Sequence, residues 1–402
     1  MGRFNRAELA DRSGVSGDYI DKLVELGILT AEPADAPFSV ADVRRVRFAR
    51  ALEVGGLPLE GIGTAIRDGD LSFAFFDHPS FERFGGMVAA TFRDLSTETG
   101  VSLDLLRTIR ESTGFARPGA DDPVREDELD LVALVQAGSA VGVDPLATER
   151  LIRVWGESVR RIAEAEADWY HTQVVVPLLR SGMSAAQTLS VGTETAAAAA
   201  QLLDRALVAL YHMQSEHTWL TNIVEAVEAT LEGSGLHSTV HHPPAMCFLD
   251  LSGYTRLTEE RGDQAAAEMA ATLGQFVQRG AHRHGGRPVK WLGDGVMIHF
   301  KDPGSAVISA LEMVEGLPAT GLPPAHVGIA AGPVIFQDGD YFGRTVNSAA
   351  RIAAHAGAGE VLVSDDVRLA TSDSSVEFVE IGPVELKGIS LPLRLHRARC
   401  HS

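Results

Sequence analysis

The segment Glu8–Leu29, ELADRSGVSGDYIDKLVELGIL, returns without a gap at Asp94–Phe115 as DLSTETGVSLDLLRTIRESTGF. The offset is 86 residues and it keeps register. Leu9 falls on Leu95, Gly14-Val15-Ser16 on Gly100-Val101-Ser102, and Gly56 on Gly142. A repeat this regular confines the first third of the chain to two copies of one small unit. In each copy apolar residues recur at helical spacing on both sides of a glycine-containing turn. A third helical stretch follows, SVADVRRVRFARALEVGG in the first copy and REDELDLVALVQAGSAVG in the second.

Helix, turn, helix is a DNA-reading arrangement, and the first copy resembles the MerR-type modules, in which a segment like ELADRSGVS opens the unit. Charge argues against DNA as a partner. Residues 1–70 hold nine Lys+Arg against twelve Asp+Glu, and the whole chain carries a net charge of −19. A protein that neutralises phosphates needs a basic face, and Arg44, Arg45, Arg47 and Arg50 are the residues that would form one.

From Ala147 to about Gly233 the pattern stays helical and ends in a long Ala-rich segment with almost no breakers. GSGLHSTVHHPPAM then stops it with Gly, Ser, His and a proline pair. The expected organisation is a helix-turn-helix module at 1–83, a helical domain at 84–235, a linker at 236–244 and a second domain at 245–402. Two cysteines without metal-ligand or CxxC spacing, no apolar leader at the N-terminus and no apolar run of about 18 residues together predict a cytoplasmic protein without a membrane span.

After Ala245 the rhythm becomes strand, helix, strand, strand, helix, strand, with further elements to the end. The predicted class is therefore α+β: an all-α N-terminal domain followed by a ferredoxin-like βαββαβ domain. Polar residues interrupt its apolar segments. Asp250 ends the strand AMCFLDL. Lys290 and Asp294 sit in the hairpin VKWLGDGVMIHF, which reads as buried. Asp340 lies in GDYFG, and Asn347 and Arg351 share a helix face. Asp250 and Asp294, on neighbouring strands, would repel unless a hard cation joined them. LSGYT after Asp250 offers backbone N–H groups to phosphate oxygens.

Taken together, FLDLSGYT, KWLGDG and DYFGRTVNSAARI resemble the class III nucleotidyl cyclase catalytic domain over Ala245–Cys400. The resemblance implies two Mg²⁺ or Mn²⁺ ions per site, held by Asp250, Asp294 and the carbonyl of Leu251. It implies adenine reading by Lys290 and Asp340, and transition-state stabilisation by Asn347 and Arg351. It further implies nucleotide contacts by Ser252, Gly253, Tyr254, Thr255 and Lys387. The implied reaction turns ATP into cyclic AMP and pyrophosphate in a homodimer with shared sites. Lys and Asp complement the N1 acceptor and amino donor of adenine, and guanine presents the reverse pattern.

Residues from about Phe84 to Gly235 resemble the helical regulatory domain of actinobacterial, mycobacterial-type adenylyl cyclases, which implies control by pH or by a small-molecule or lipid-like signal. Histidine titrates near neutrality, so His237, His241 and His242 in the linker are candidate proton sensors. A solvated linker with incidental histidines is the plainer reading. The competing function is a MerR-like transcriptional regulator whose cyclase domain binds nucleotide without turnover.

Overall fold

A computed structural model describes residues 3–31, 37–78, 81, 84–236 and 242–401. The chain divides into two compact units, 1–227 and 228–402. Among the described residues no helix is long and apolar enough to cross a membrane.

The sequence repeat is an architectural repeat. The first copy runs β1 (Arg3–Phe4), α1 (Arg6–Ser13), α2 (Gly17–Glu25), β2 (Phe38–Ser39), α3 (Val40–Val54) and α4 (Leu59–Asp68). The second runs β3 (Met87–Thr91), α5 (Phe92–Thr99), α6 (Leu103–Ser112), β4 (Pro123–Arg125), α7 (Glu128–Ala140) and α8 (Pro145–Tyr170). Gly14 and Gly100 both end their helix in the left-handed region, and the Ser16 and Ser102 hydroxyls both cap the next one. The cores also correspond at the same offset. Leu9, Ile20, Leu23, Phe38, Val46 and Ala49 are buried, as are Leu95, Leu106, Ile109, Val124, Val132 and Val135. Even a buried carboxylate is shared: Asp42 accepts from the Ser39 N–H at 2.7 Å and Glu128 from the Arg125 N–H at 2.8 Å.

After α8 comes a π-helical turn, His171–Val175, then α9 (Val176–Arg180) and α10 (Ala185–Gly233). Pro177 has no N–H to donate, and the wider turn before it lets the helix continue past that lost bond.

In the second unit β5 (Ala245–Leu251) is followed by α11 (Tyr254–Arg261), α12 (Asp263–Arg283), β6 (Arg287–Trp291), β7 (Gly295–Phe300), α13 (Pro303–Gly316) and β8 (Ala325–Ala331). A short hairpin, β9 (Ile335–Gln337) with β10 (Asp340–Phe342), leads into α14 (Arg344–His355). Then come β11 (Val361–Ser364), α15 (Asp365–Ala370), β12 (Val376–Val384) and β13 (Leu393–Cys400). One seven-stranded sheet has the order β12-β13-β11-β8-β5-β7-β6. Alternate residues of β5 point to opposite faces. Ala245, Cys247, Leu249 and Leu251 pack with α12 and α13, while Met246 packs with Ala349 and Ile352 of α14. Helix α14 lies so close to β8 that a Cβ on Gly328 would stand 2.0 Å from the Ala353 nitrogen; glycine is required there.

The hairpin expected to be buried is only half so. Strand β7 is buried, but β6 is the sheet edge, and its last residue Trp291 and the following Leu292 are exposed. An apolar run reads the same on an edge as in the centre of a sheet, so composition alone could not separate them.

Candidate active site

Strand β5 delivers Asp250 to the end of the sheet, opposite Gly295 of β7 and His326 of β8. The turn before β7 brings Asp294 alongside: its carbonyl accepts from the Leu251 N–H at 3.2 Å. Burial and the charge of Asp294 push the Asp250 carboxyl above its ordinary pKa, against a smaller opposing pull from His326. Gly295 is fixed by this arrangement, because a Cβ there would stand 2.7 Å from Asp250 Oδ1.

His326 is a participant that the sequence did not single out. Its Nε2 lies 3.6 Å from Asp250 Oδ2, and its Nδ1 lies 3.1 Å from Ser252 Oγ. Only the β5–β8 register brings it there. The stretch after Asp250 also differs from expectation. The Ser252 N–H is not free for phosphate, since it donates to the Pro324 carbonyl at 2.8 Å. The Tyr254 hydroxyl donates to the Ala266 carbonyl at 3.1 Å, tying it to α12. The N–H groups that open α11 follow Gly253 and have no side-chain cap, those of Tyr254 and Thr255 among them.

Lys290 and Asp340, fifty residues apart, meet. Lys290 Nζ lies 2.8 Å from Asp340 Oδ2. A β-bulge at Val289 shifts the β6–β7 register so that Lys290 pairs with Met297. His299 stacks on Tyr341 at 4.5 Å and holds the β9–β10 hairpin against this edge. Burial raises the Asp340 pKa, but the Lys290 hydrogen bond, the Tyr341 N–H and the Lys290 charge together outweigh it, and the net shift is downward.

Asn347 and Arg351 lie on the exposed face of α14, whose other face carries buried Ser348, Ala349 and Ile352. Helix α14 begins beyond the end of β8 that pairs with Ala245, the opposite end of β5 from Asp250. Lys387 is exposed in the turn between β12 and β13 and is joined to none of the residues above. His237 and His241 lie outside the described residues, and His242 is partly exposed beside Pro243 and Pro244.

Two of the four arginines considered for a DNA-facing surface, Arg45 and Arg50, are paired with carboxylates. Arg45 binds Asp42, Asp77 and the Phe73 carbonyl, and Arg50 binds Glu53.

Residues 237–398 match the family described as the adenylate and guanylate cyclase catalytic domain. The chain is 29% identical over 321 residues to a protein of Mycobacterium tuberculosis named pH-sensitive adenylate cyclase MT1302, covering 76% of this chain and 77% of the relative. It is 28% identical over 366 residues to the M. tuberculosis protein Rv2212, covering 85% and 92%. It is also 28% identical over 271 residues to an adenylate cyclase of Streptomyces coelicolor, covering 66% and 67%.

Proposed function

We propose that this chain, whose residues 237–398 form an adenylate/guanylate cyclase catalytic domain, is an adenylate cyclase that converts ATP to 3′,5′-cyclic AMP and pyrophosphate. The observation that carries the choice of ATP is the Lys290–Asp340 pair. An ammonium donor and a carboxylate acceptor, held side by side, match the N1 acceptor and amino donor of adenine. The strand order β8-β5-β7-β6, with α11 and α12 in the first crossover and α13 in the second, supports reading the catalytic core as ferredoxin-like.

Asp250 and Asp294 fit a divalent cation: they are hard oxygen donors whose mutual repulsion a cation would relieve. They would hold Mg²⁺ or Mn²⁺, together with the Leu251 carbonyl. When bound, the ions neutralise phosphate charge and ease deprotonation of the ribose 3′-hydroxyl. The 3′-oxygen attacks the α-phosphorus, the bond to the bridging oxygen breaks, and pyrophosphate leaves. Asn347 would orient the ribose. Arg351 would meet negative charge growing on the transferring phosphate, where a guanidinium can donate two parallel bonds. The N–H groups of Tyr254 and Thr255 would receive phosphate oxygens, and Lys387 would add a cation to them. Ser252 would act through His326 on Asp250.

Two copies of the chain would complete each site, with Asp250 and Asp294 from one and Lys290, Asp340, Asn347 and Arg351 from its partner. Asn347 and Arg351 lie on the exposed face of α14, turned away from the sheet that carries Asp250, which favours this division. The helical N-terminal half would regulate turnover. A relative named as pH-sensitive, matching over both halves, makes proton control the signal to test first, with His242 and the neighbouring His237 and His241 as candidates.

The test is turnover of ATP and GTP with Mn²⁺ by the full chain and by a shortened chain beginning at Pro243. Cyclic AMP from ATP in preference to GTP, with different rates from the two chains, is expected. No cyclic AMP from either chain rejects the activity, and equal rates at every pH reject regulation.

A further inference from the structure

The N-terminal unit holds a cluster of cations that the cyclase reading does not use. Arg44, Arg47 and Arg125 line one cavity of about 400 Å³, together with Phe48, Phe76, Phe81 and Phe84. The rings form a continuous wall. Phe48 meets Phe76 edge-on at 5.4 Å, Phe76 meets Phe81 edge-on at 5.3 Å, and Phe84 follows at 5.8 Å.

The cations are unevenly matched. Arg125 is bound by Asp127 through two hydrogen bonds, at 2.8 and 2.5 Å. Arg47, half-buried, donates to the Gly85 carbonyl at 3.1 Å, and among the described residues no carboxylate stands within ion-pair distance of it. Burial and the nearby guanidiniums of Arg125 and Arg44 lower its pKa, with Asp127 opposing them. A guanidinium partly out of water, beside like charge and lacking its own carboxylate, destabilises the empty fold.

The fold does not demand these residues. At the 86-residue offset, the second copy places Asp130, Ala133 and Leu134 where the first has Arg44, Arg47 and Phe48. The same three-helix frame forms without the cations or the ring. Their convergence is an addition to the frame, in a chain whose net charge is −19.

We propose that this cavity binds a small aromatic carboxylate, with its ring on the phenylalanine wall and its carboxylate on Arg47. A guanidinium fork matches a carboxylate in two parallel bonds, and ring-on-ring contact supplies the apolar half. The volume is at the low end for small-molecule sites and suits one or two fused rings. The proposal goes beyond the cyclase reading and does not rest on it, because binding is read without turnover.

The test is calorimetry on the full chain without metal or nucleotide, using 2-naphthoate as the probe. One site per chain with a Kd of about 1 mM or tighter is expected. 2-Naphthol, octanoate and inorganic phosphate should each bind at least about tenfold more weakly, since each lacks the carboxylate, the ring or both. Arg47→Met should weaken 2-naphthoate at least about tenfold. Should that variant fail to fold, Phe84→Leu, at an exposed ring, should weaken it about threefold or more. Lys290→Glu should leave binding unchanged. The proposal is overturned by no binding of 2-naphthoate, by octanoate binding as tightly, by loss of binding in Lys290→Glu, or by full affinity in a folded Arg47→Met or in Phe84→Leu.

Discussion

Asp250 is a half-buried carboxylate and Glu128 a buried one, and they are treated in opposite ways. Glu128 opens α7 and is gripped on both oxygens by Arg110, with the Arg125 N–H as a third donor at 2.8 Å. Its counterpart in the first copy, Asp42, is held likewise by Arg45 at 2.7 Å and by the Ser39 N–H. Asp250 has no such cation. Its neighbours are another carboxylate, Asp294, and a histidine at 3.6 Å. A carboxylate folded together with its counter-charge holds architecture in place. One folded beside a like charge is kept for something that arrives from solution.

The contrast breaks first on activity. Asp294→Ala should lower turnover of both ATP and GTP by about 10³-fold or more, measured as cyclic nucleotide formed with Mn²⁺, while leaving far-ultraviolet circular dichroism unchanged. Loss of the fold together with the activity would make Asp294 architectural as well. The converse change is Glu128→Ala, which strands Arg110 without its partner. The pair is almost out of solvent, at 12% and 11% side-chain exposure, so the cost should be about 3–5 kcal/mol in urea unfolding. An effect under about 1 kcal/mol would place Glu128 with Asp250 instead.

A finer test concerns a pair that belongs to both classes. Lys290 and Asp340 neutralise each other in the structure, yet Lys290 is half-exposed and the pair lies on a sheet edge, where a nucleotide base can reach it. Lys290→Glu should lower the ATP-to-GTP ratio of kcat/KM by about tenfold or more, because a lost bond to a charged donor is worth about 1.5–3 kcal/mol. A ratio that stays fixed while both rates fall would mean that the pair serves the fold of the β9–β10 hairpin and not the base.

How far these roles could be read from sequence differs between the two halves. In the second half Asp250, Lys290, Asp294, Asn347 and Arg351 each break an apolar pattern, and the element order places them. The sequence had no mark for the bulge at Val289, which changes register without changing composition. It also gave no hint of His326, an ordinary strand residue until the pairing of β5 with β8 sets it against Asp250. In the first half the repeat made the frame legible to the level of single core residues, such as Leu9 and Leu95. The arginines of α3 were legible only as a charge run. What they touch is decided by Asp42, Glu53, Asp77 and the rings that pack beside them, and sequence distance conceals those contacts.

The smallest predicted effect tests the contrast through stability alone. Asp250 has its pKa raised by burial and by Asp294, so its ionised form is the less favourable one in the folded chain. Above the folded pKa the carboxylate is charged in both states, and the folded state carries the whole penalty. As pH falls through the folded pKa toward the unfolded value of 3.8, the folded group takes up its proton first and the penalty fades. Below that value it is gone. Asp250→Asn should therefore raise the melting temperature of metal-free protein at pH 7, by no more than about 3 °C for a group this open to solvent, and the gain should shrink on acidification. Mn²⁺ should reverse the order, raising the melting temperature of the natural chain and not that of the variant, because the proposed ion site needs both carboxylates. A variant that melts lower at pH 7 without metal would show Asp250 to be a structural carboxylate like Glu128, and the distinction between the two would fail.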